Sequence, residues 1–223
     1  MNERTSPRTA PATALAPRVR DADATRLRVL EAAEVLFARK GFDGTRLREV
    51  AEDAKVTVPL VCHHFGDKDS LYAAVIERGL ERFTALGWEV LHRGHTVAEQ
   101  LANFVAGIID LAARAPNITT ILHREMTDGG ARARPLAERM LLPLKEAATE
   151  TLRSAQTRGE VREGLDVEMA VLHIVGAALY PSLAAPLVQI VWGDDPLLGE
   201  FLERRKRALV DLLAPLVLRP QRA

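Results

Sequence analysis

Apolar residues recur at helical intervals along nearly the whole chain. Val29, Leu30, Ala33, Leu36 and Phe37 fall at offsets 0, 1, 4, 7 and 8, one apolar stripe of an amphipathic helix. Asp23 stands where it can cap that helix, and Gly41 ends it just past Lys40. Thr45 opens a short second helix whose inner face is Leu47, Val50, Ala51 and Ala54. Lys55-Val56 makes a turn, and Thr57 caps a third helix through about His64. Pro59 is tolerated there, because first-turn N–H groups have no intrahelical partner to lose. Gly66-Asp67 breaks the chain, and Asp67 caps a long fourth helix carrying Leu71, Ala74, Val75, Phe83, Leu86 and Val90.

The helical period continues beyond Gly94. Thr96-Val-Ala-Glu99 is a capping box ahead of Leu101, Phe104, Val105, Ile108 and Leu111. Pro116 to Met126 predicts a shorter helix closed by Asp128-Gly129-Gly130. Pro135 to Arg158 predicts another, kinked near Pro143. Asp166 caps an uncharged helix ending near Pro181, and a last helix covers about Leu197 to Leu218. No segment sustains period-two alternation, so the fold class is all-α.

Composition adds constraints. With 48% hydrophobic and 27% charged residues, 223 residues can build a substantial core. Thirty basic residues balance thirty acidic ones, so any grip on a polyanion must come from a few placed side chains and the amino-terminal tail. Residues 1–22, rich in Pro, Thr, Ala and Arg, predict a disordered tail; with no apolar h-region they do not read as a signal peptide. The single cysteine, Cys62, cannot form an internal disulfide, which fits a reducing cytoplasm. Met169 to Gly193 carries no charge and is long enough to match the ~20 residues of a membrane span. Pro181 and Pro186 interrupt it and His173, Ser182 and Gln189 dot it, so a buried helix followed by an apolar turn is the better reading, and no membrane partner is expected.

The block from Ala51 to Phe65 is helix, tight turn, helix: the spacing of a helix-turn-helix, whose second helix enters a major groove. Spacing alone also suits any helical hairpin. The distribution of residues says more. Val56, Val61 and Phe65 can point inward together, which leaves Pro59, Leu60 and His63 outward with Val58, Cys62 and His64 flanking. An outward Leu and Pro suit thymine methyls and sugar edges better than water.

Residues Thr25 to Ile76 resemble the amino-terminal domain of the TetR family of transcriptional regulators. The resemblance is carried by VLEAAEVLFARKGF at 29–42, Thr45, Val50-Ala51-Glu52, Val56-Thr57, His63-His64-Phe65 and Asp67-Lys68. It implies residue roles. Thr45, with Arg46 beside it, and Lys68 should meet phosphates; Thr57 and His64 match backbone-contacting positions; Leu60 and His63 match positions facing base edges. Three departures stand out: Lys55 where Gly or Asn is usual, rigid Pro59 for a small flexible residue, and Cys62 for an aromatic ring. The resemblance further implies a helix-turn-helix domain over residues 23–66 and a ligand-binding and dimerisation domain over 67–223.

The expected function is therefore a cytoplasmic, ligand-responsive regulator, a repressor holding a palindromic double-stranded DNA operator as a homodimer and released by a small apolar effector. Trp88, Asn103, His123, His173 and Tyr180 are the expected polar members of the effector cavity. The uncharged helix and the last helix are the expected dimer contact, the former covered on every side. No metal or other cofactor is called for: adjacent His63 and His64 diverge by about 100° on a helix and cannot chelate together. His123-Arg124-Glu125 is read as a capped or ion-paired helix rather than a catalytic cluster, since consecutive residues point apart. An enzyme using His123, Glu125 and His173, and an adaptor dimer with weakened DNA recognition, are the rival readings. Arg204 to Arg207 reads as a solvated helix face, and Cys62 as a small residue tolerated at a helix edge rather than a redox switch.

Overall fold

A computed structural model describes residues 16–93 and 96–220. Among the described residues ten helices follow one another: α1 (Ala16–Gly44), α2 (Leu47–Asp53), α3 (Val58–Phe65), α4 (Lys68–Arg93), α5 (Val97–Arg114), α6 (Pro116–Thr127), α7 (Arg134–Thr157), α8 (Val167–Leu183), α9 (Ala185–Trp192) and α10 (Gly199–Val217). Among the described residues the only β pairing is one antiparallel bridge between Val161 and Leu218.

Two expectations at the amino end change. Helix α1 starts at Ala16, so residues 16–22 are helical and Asp23 lies inside the helix rather than capping it. The part of the expected tail before Ala16 lies outside the described residues. At the other end Gly41 (φ 74°, ψ 179°) kinks the chain, as a residue without Cβ can. The carbonyls freed there are taken up from outside the helix. The Thr45 hydroxyl donates to Gly41 O at 2.8 Å and Leu36 O at 3.2 Å, and Arg124 Nη1 of α6 donates to Ala38 O at 2.7 Å and Phe37 O at 3.3 Å. Thr45 is thus a buried pin, and Arg46 is the N-cap residue of α2.

The α2–α3 turn closes as a Schellman motif. Val56 N–H donates to Ala51 O and Lys55 N–H to Glu52 O, with Lys55 at φ 56° in the position that favours glycine. A residue with Cβ pays about 1–2 kcal/mol there. Val61 and Phe65 of α3 join Val50 and Ala51 of α2, Ala54 just past its end and the α1 stripe in one core, with Val56 packed against it. That core does not stop at the first three helices. Tyr72, Val75 and Ile76 of α4, Ile118 and Ile121 of α6, and Leu136 of α7 belong to it as well.

Helices α5, α8 and α10 share a second core around Val105, Ile108, Ile109, Ile174, Ala178 and Leu213. Three expected caps are present: Asp67 Oδ1 accepts from Ser70 N–H, Thr96 and Glu99 form the capping box, and Asp166 accepts from Glu168 and Met169 N–H. Thr57 stands at the N-cap of α3 as expected, but its side chain makes no capping hydrogen bond. Helix α4 approaches its neighbours closely through glycines. A Cβ at Gly79 would lie 2.5 Å from Ile118 Cγ2, and one at Gly87 would lie 2.6 Å from Leu144 Cδ2.

The uncharged stretch is two helices, α8 and α9, inclined at 74°, and no single described helix is long and apolar enough to cross a membrane. The expectation that α8 is covered all round is not met within one chain. Leu172 and Tyr180 of α8 are 59% and 63% exposed, and in α9 Leu187, Ile190, Val191 and Trp192 are exposed too. The basic run of α10 is not simply a solvated face either. Half-buried Arg205 donates to Ala178 O, Pro196 O and Ser182 Oγ, fastening the end of α8, and burial pulls its pKa below the usual arginine range. Burial alone would lower the Lys206 pKa, but Asp110 of α5 and Glu203 outweigh it and hold the ammonium above its ordinary value.

Candidate DNA-reading face and effector cavity

Helix α3 is held by its inner side and offers its outer one. Val61 (1% exposed) and Phe65 (9%) are buried, whereas Thr57, Pro59, Cys62 and His63 are exposed. Leu60 is half-buried and outside the core cluster. Val58, also half-buried, leans on that core and is more a support than an outward group. His64 is half-buried beside Phe65.

Around α3, Arg46 is exposed at the start of α2, and its backbone N–H donates to Glu49 Oε2. Lys40 donates to the other Glu49 oxygen at 2.7 Å, and that bond, with the Arg46 amide, holds the Glu49 carboxyl below its usual range. Lys68, at the start of α4, sits 4.3 Å over the Phe42 ring and reaches Asp43 O at 3.4 Å. Its charge is therefore fixed beside the α1–α2 corner. Thr45 departs from the expected set. At 1% exposure, with its proton shared between two carbonyls, its side chain has nothing left to offer a phosphate.

The second site is a cavity of about 830 Å³ between α4, α5, α6, α7 and α8. That volume suits a small-molecule ligand. Its walls are hydrocarbon: Phe83, Leu101, Phe104, Ile108, Leu141 and Leu144 represent the lining. None of Trp88, Asn103, His123, His173 and Tyr180 lines it, and all five are exposed. They sit on the outer faces of their helices; His173 and Tyr180 share the uncovered side of α8. Phe83, Leu101, Phe104, Ile108, Leu141 and Leu144 lie on the apolar stripes of their helices, and a cavity-wall leucine looks like a core leucine in a sequence.

Helix α6 borders both regions. Thr119, Leu122 and Met126 face the cavity. Ile121, Arg124 and Glu125 face the first core. Glu125, 3% exposed, accepts from the Tyr72 hydroxyl at 3.3 Å and from the Arg132 and Ala133 N–H groups at 2.8 and 3.2 Å. Burial first, and the Glu125 charge second, push the Tyr72 pKa up to about 12. The Arg132 guanidinium lies 3.8 Å over Phe42 and reaches Asp69. His123, Arg124 and Glu125 thus do unrelated things: the first is exposed, the second caps α1, and the third braces the α6–α7 connection.

The family model for bacterial regulatory proteins of the tetR family matches residues 29–75, and that for the tetracyclin repressor-like C-terminal domain matches residues 98–213. The chain belongs to the TetR family. It is a DNA-binding transcriptional regulator, not an enzyme. It is similar to the HTH-type transcriptional repressor NicS of Pseudomonas putida, 28% identical over 167 residues, 73% of this chain and 78% of that one. The HTH-type transcriptional repressor SCO4008 of Streptomyces coelicolor is 24% identical over 200 residues, 86% and 98% of the two chains. Solved TetR-like structures share the fold. FadR of Bacillus subtilis in complex with stearoyl-CoA has a TM-score of 0.70 at 18% identity, over 85% of this chain and 97% of that one. AibR in complex with isovaleryl coenzyme A and operator DNA has 0.69 at 21% identity, over 86% and 98%.

Proposed function

We propose that this TetR-family protein is a cytoplasmic repressor that holds a palindromic operator as a homodimer and releases it when an effector fills the cavity. The observation that carries the reading is the junction of α6, one helix with cavity on one side and the α1–α4 core on the other. The head comprises α1 to α3, ending at about residue 66, and the remainder forms the effector and dimerisation domain. Exposed Pro59, Cys62 and His63, with Leu60 between them, face base edges, while Arg46, Thr57, His64 and Lys68 hold phosphates. Two of the similar curated proteins are named repressors, and two structures of this fold hold an acyl-coenzyme A, one together with operator DNA.

The dimer contact follows from the apolar side of α8 and α10. Leu172, Tyr180, Leu212 and Leu216 are all about half-exposed or more. Large apolar side chains left exposed on two neighbouring helices mark a surface for association. A second copy packing α8 and α10 as a four-helix contact supplies the missing cover. Two heads then meet half-sites ~34–36 Å apart or a multiple of it.

An effector acts only through its preference for one head spacing over the other. Filling the space beside Leu122 and Met126 displaces α6, and Arg124 and Glu125 carry that displacement to α1 and Tyr72. The test is duplex selection from random DNA followed by titration with apolar ligands. Wild-type protein should select a palindrome and release it on ligand binding. Arg124→Ala should still bind DNA and ligand but release poorly. No selected duplex, or undiminished release by Arg124→Ala, contradicts the reading.

A further inference from the structure

Two cations from different parts of the chain share the Phe42 ring at the α1–α2 corner. Lys68 Nζ, at the start of α4, lies 4.3 Å from the ring centre. The guanidinium carbon of Arg132, in the α6–α7 connection, lies 3.8 Å from the same centre. The two charges are therefore at most about 8 Å apart. The ring itself is fixed, with Tyr72 edge-on at 5.1 Å and Phe37 stacked at 6.3 Å. It attracts each cation, while the cations repel each other.

Neither cation is strongly held by a carboxylate. Lys68 has no ion-pair partner among the described residues; besides the ring it reaches the Asp43 carbonyl at 3.4 Å. Arg132 meets Asp69 at 3.3 Å, with side-chain exposures of 40% and 69%. A surface pair that open contributes little and is readily exchanged for a better anion. Asp67, next to Lys68 in the chain, is taken by the Ser70 N–H.

The backbone that carries Arg132 is anchored in the larger domain. Its N–H donates to the buried Glu125 carboxylate at 2.8 Å, and Gly130, Ala133 and Arg134 on either side of it line the cavity. A fixed main chain thus presents a partly exposed guanidinium beside the ammonium of Lys68. A duplex backbone supplies the anion that this corner lacks. Successive phosphates of one strand advance by ~3.4 Å along the axis, so cations this close can share one phosphate or hold neighbouring ones. The guanidinium fork suits two phosphate oxygens, and the ammonium acts as a point charge beside it.

We infer that Arg132 is a phosphate-binding residue beside Lys68, a DNA contact that the effector domain lends to the head. The inference rests on the reading that Lys68 meets the DNA backbone.

Salt titrations of DNA binding by the full-length protein, followed by anisotropy of a labelled duplex that wild type selects and of a scrambled one, test it. Arg132→Gln, with its thermal unfolding checked against wild type, should lower affinity about tenfold on both duplexes, the scale of one charge-assisted contact. It should also reduce the slope of log affinity against log salt by about 1 per head, which a merely structural role would not move. Lys68→Gln should reduce the slope by a similar amount. Asp69→Asn frees Arg132 from its competitor and should tighten binding, and most of that gain should be absent in Asp69→Asn/Arg132→Gln. An unchanged slope in Arg132→Gln beside a reduced one in Lys68→Gln overturns the inference and leaves the Lys68 reading intact. Unchanged slopes in both overturn both. A loss in Asp69→Asn equal to that in Arg132→Gln would make the pair a joint between head and body only, and also overturns the inference.

Discussion

The head and the cavity are built from the same kinds of residue but differ in how they use them. In the head, Val29, Leu36, Phe37, Val50 and Val61 are each at most 2% exposed and close around one another. Beside the cavity, Phe83, Phe104 and Leu141 are only partly covered and border about 830 Å³ of open space. A packed core makes a rigid stage for a short reading helix. An unfilled one leaves a volume whose occupation can change the energy of the whole. The lesson is that apolar pattern reports which side of a helix turns inward, and not whether the inside is full.

The sharpest way to break this comparison is to truncate one phenylalanine on each side of it. Phe37→Ala should cost about 3–5 kcal/mol, because its neighbours cannot collapse into the hole. Phe83→Ala borders a space that already exists and should cost about 1–2 kcal/mol from lost burial alone. Urea unfolding of both variants checks this, and equal losses would mean the cavity is packed in solution.

Next in size is a pH effect at the joint between the two regions. The Tyr72 pKa is raised from an ordinary 10.0 to about 12 in the folded chain. A raised value means the folded state keeps its proton longer. That contribution is complete below about pH 10 and lost as pH climbs toward about 12, at up to about 1.4 kcal/mol per pH unit. Tyr72→Phe should remove this part of the alkaline slope, measured by unfolding between those limits.

Thr45 and Arg46 separate support from contact within the head. Thr45→Val should cost about 1–2 kcal/mol of stability by stranding the Leu36 and Gly41 carbonyls, and leave the salt dependence of DNA binding unchanged. Arg46→Gln should do the reverse, lowering the slope of log affinity against log salt by about 1. A changed slope in Thr45→Val would return Thr45 to the DNA contacts.

How legible each region was follows from the range of the interactions that make it. The α2–α3 turn, the inward Val61 and Phe65 and the exposed Pro59 and His63 all follow from neighbours within a few residues, so periodicity and caps locate them. Thr45 escaped that reading. Its partners, Leu36 and Gly41, lie on the preceding helix, and a threonine at a helix start has the same letters whether it caps or pins. The cavity was less legible still. Its walls come from five helices, and polarity was the wrong guide: His173 and Tyr180 mark the uncovered side of α8 instead.

The most direct measurement is the affinity of wild type and His63→Ala for a duplex selected by the wild-type protein, beside a scrambled duplex at the same salt concentration. If α3 reads base edges, the substitution costs about 1–3 kcal/mol on the selected duplex and almost nothing on the scrambled one. Equal loss on both, or no loss on either, would contradict the account.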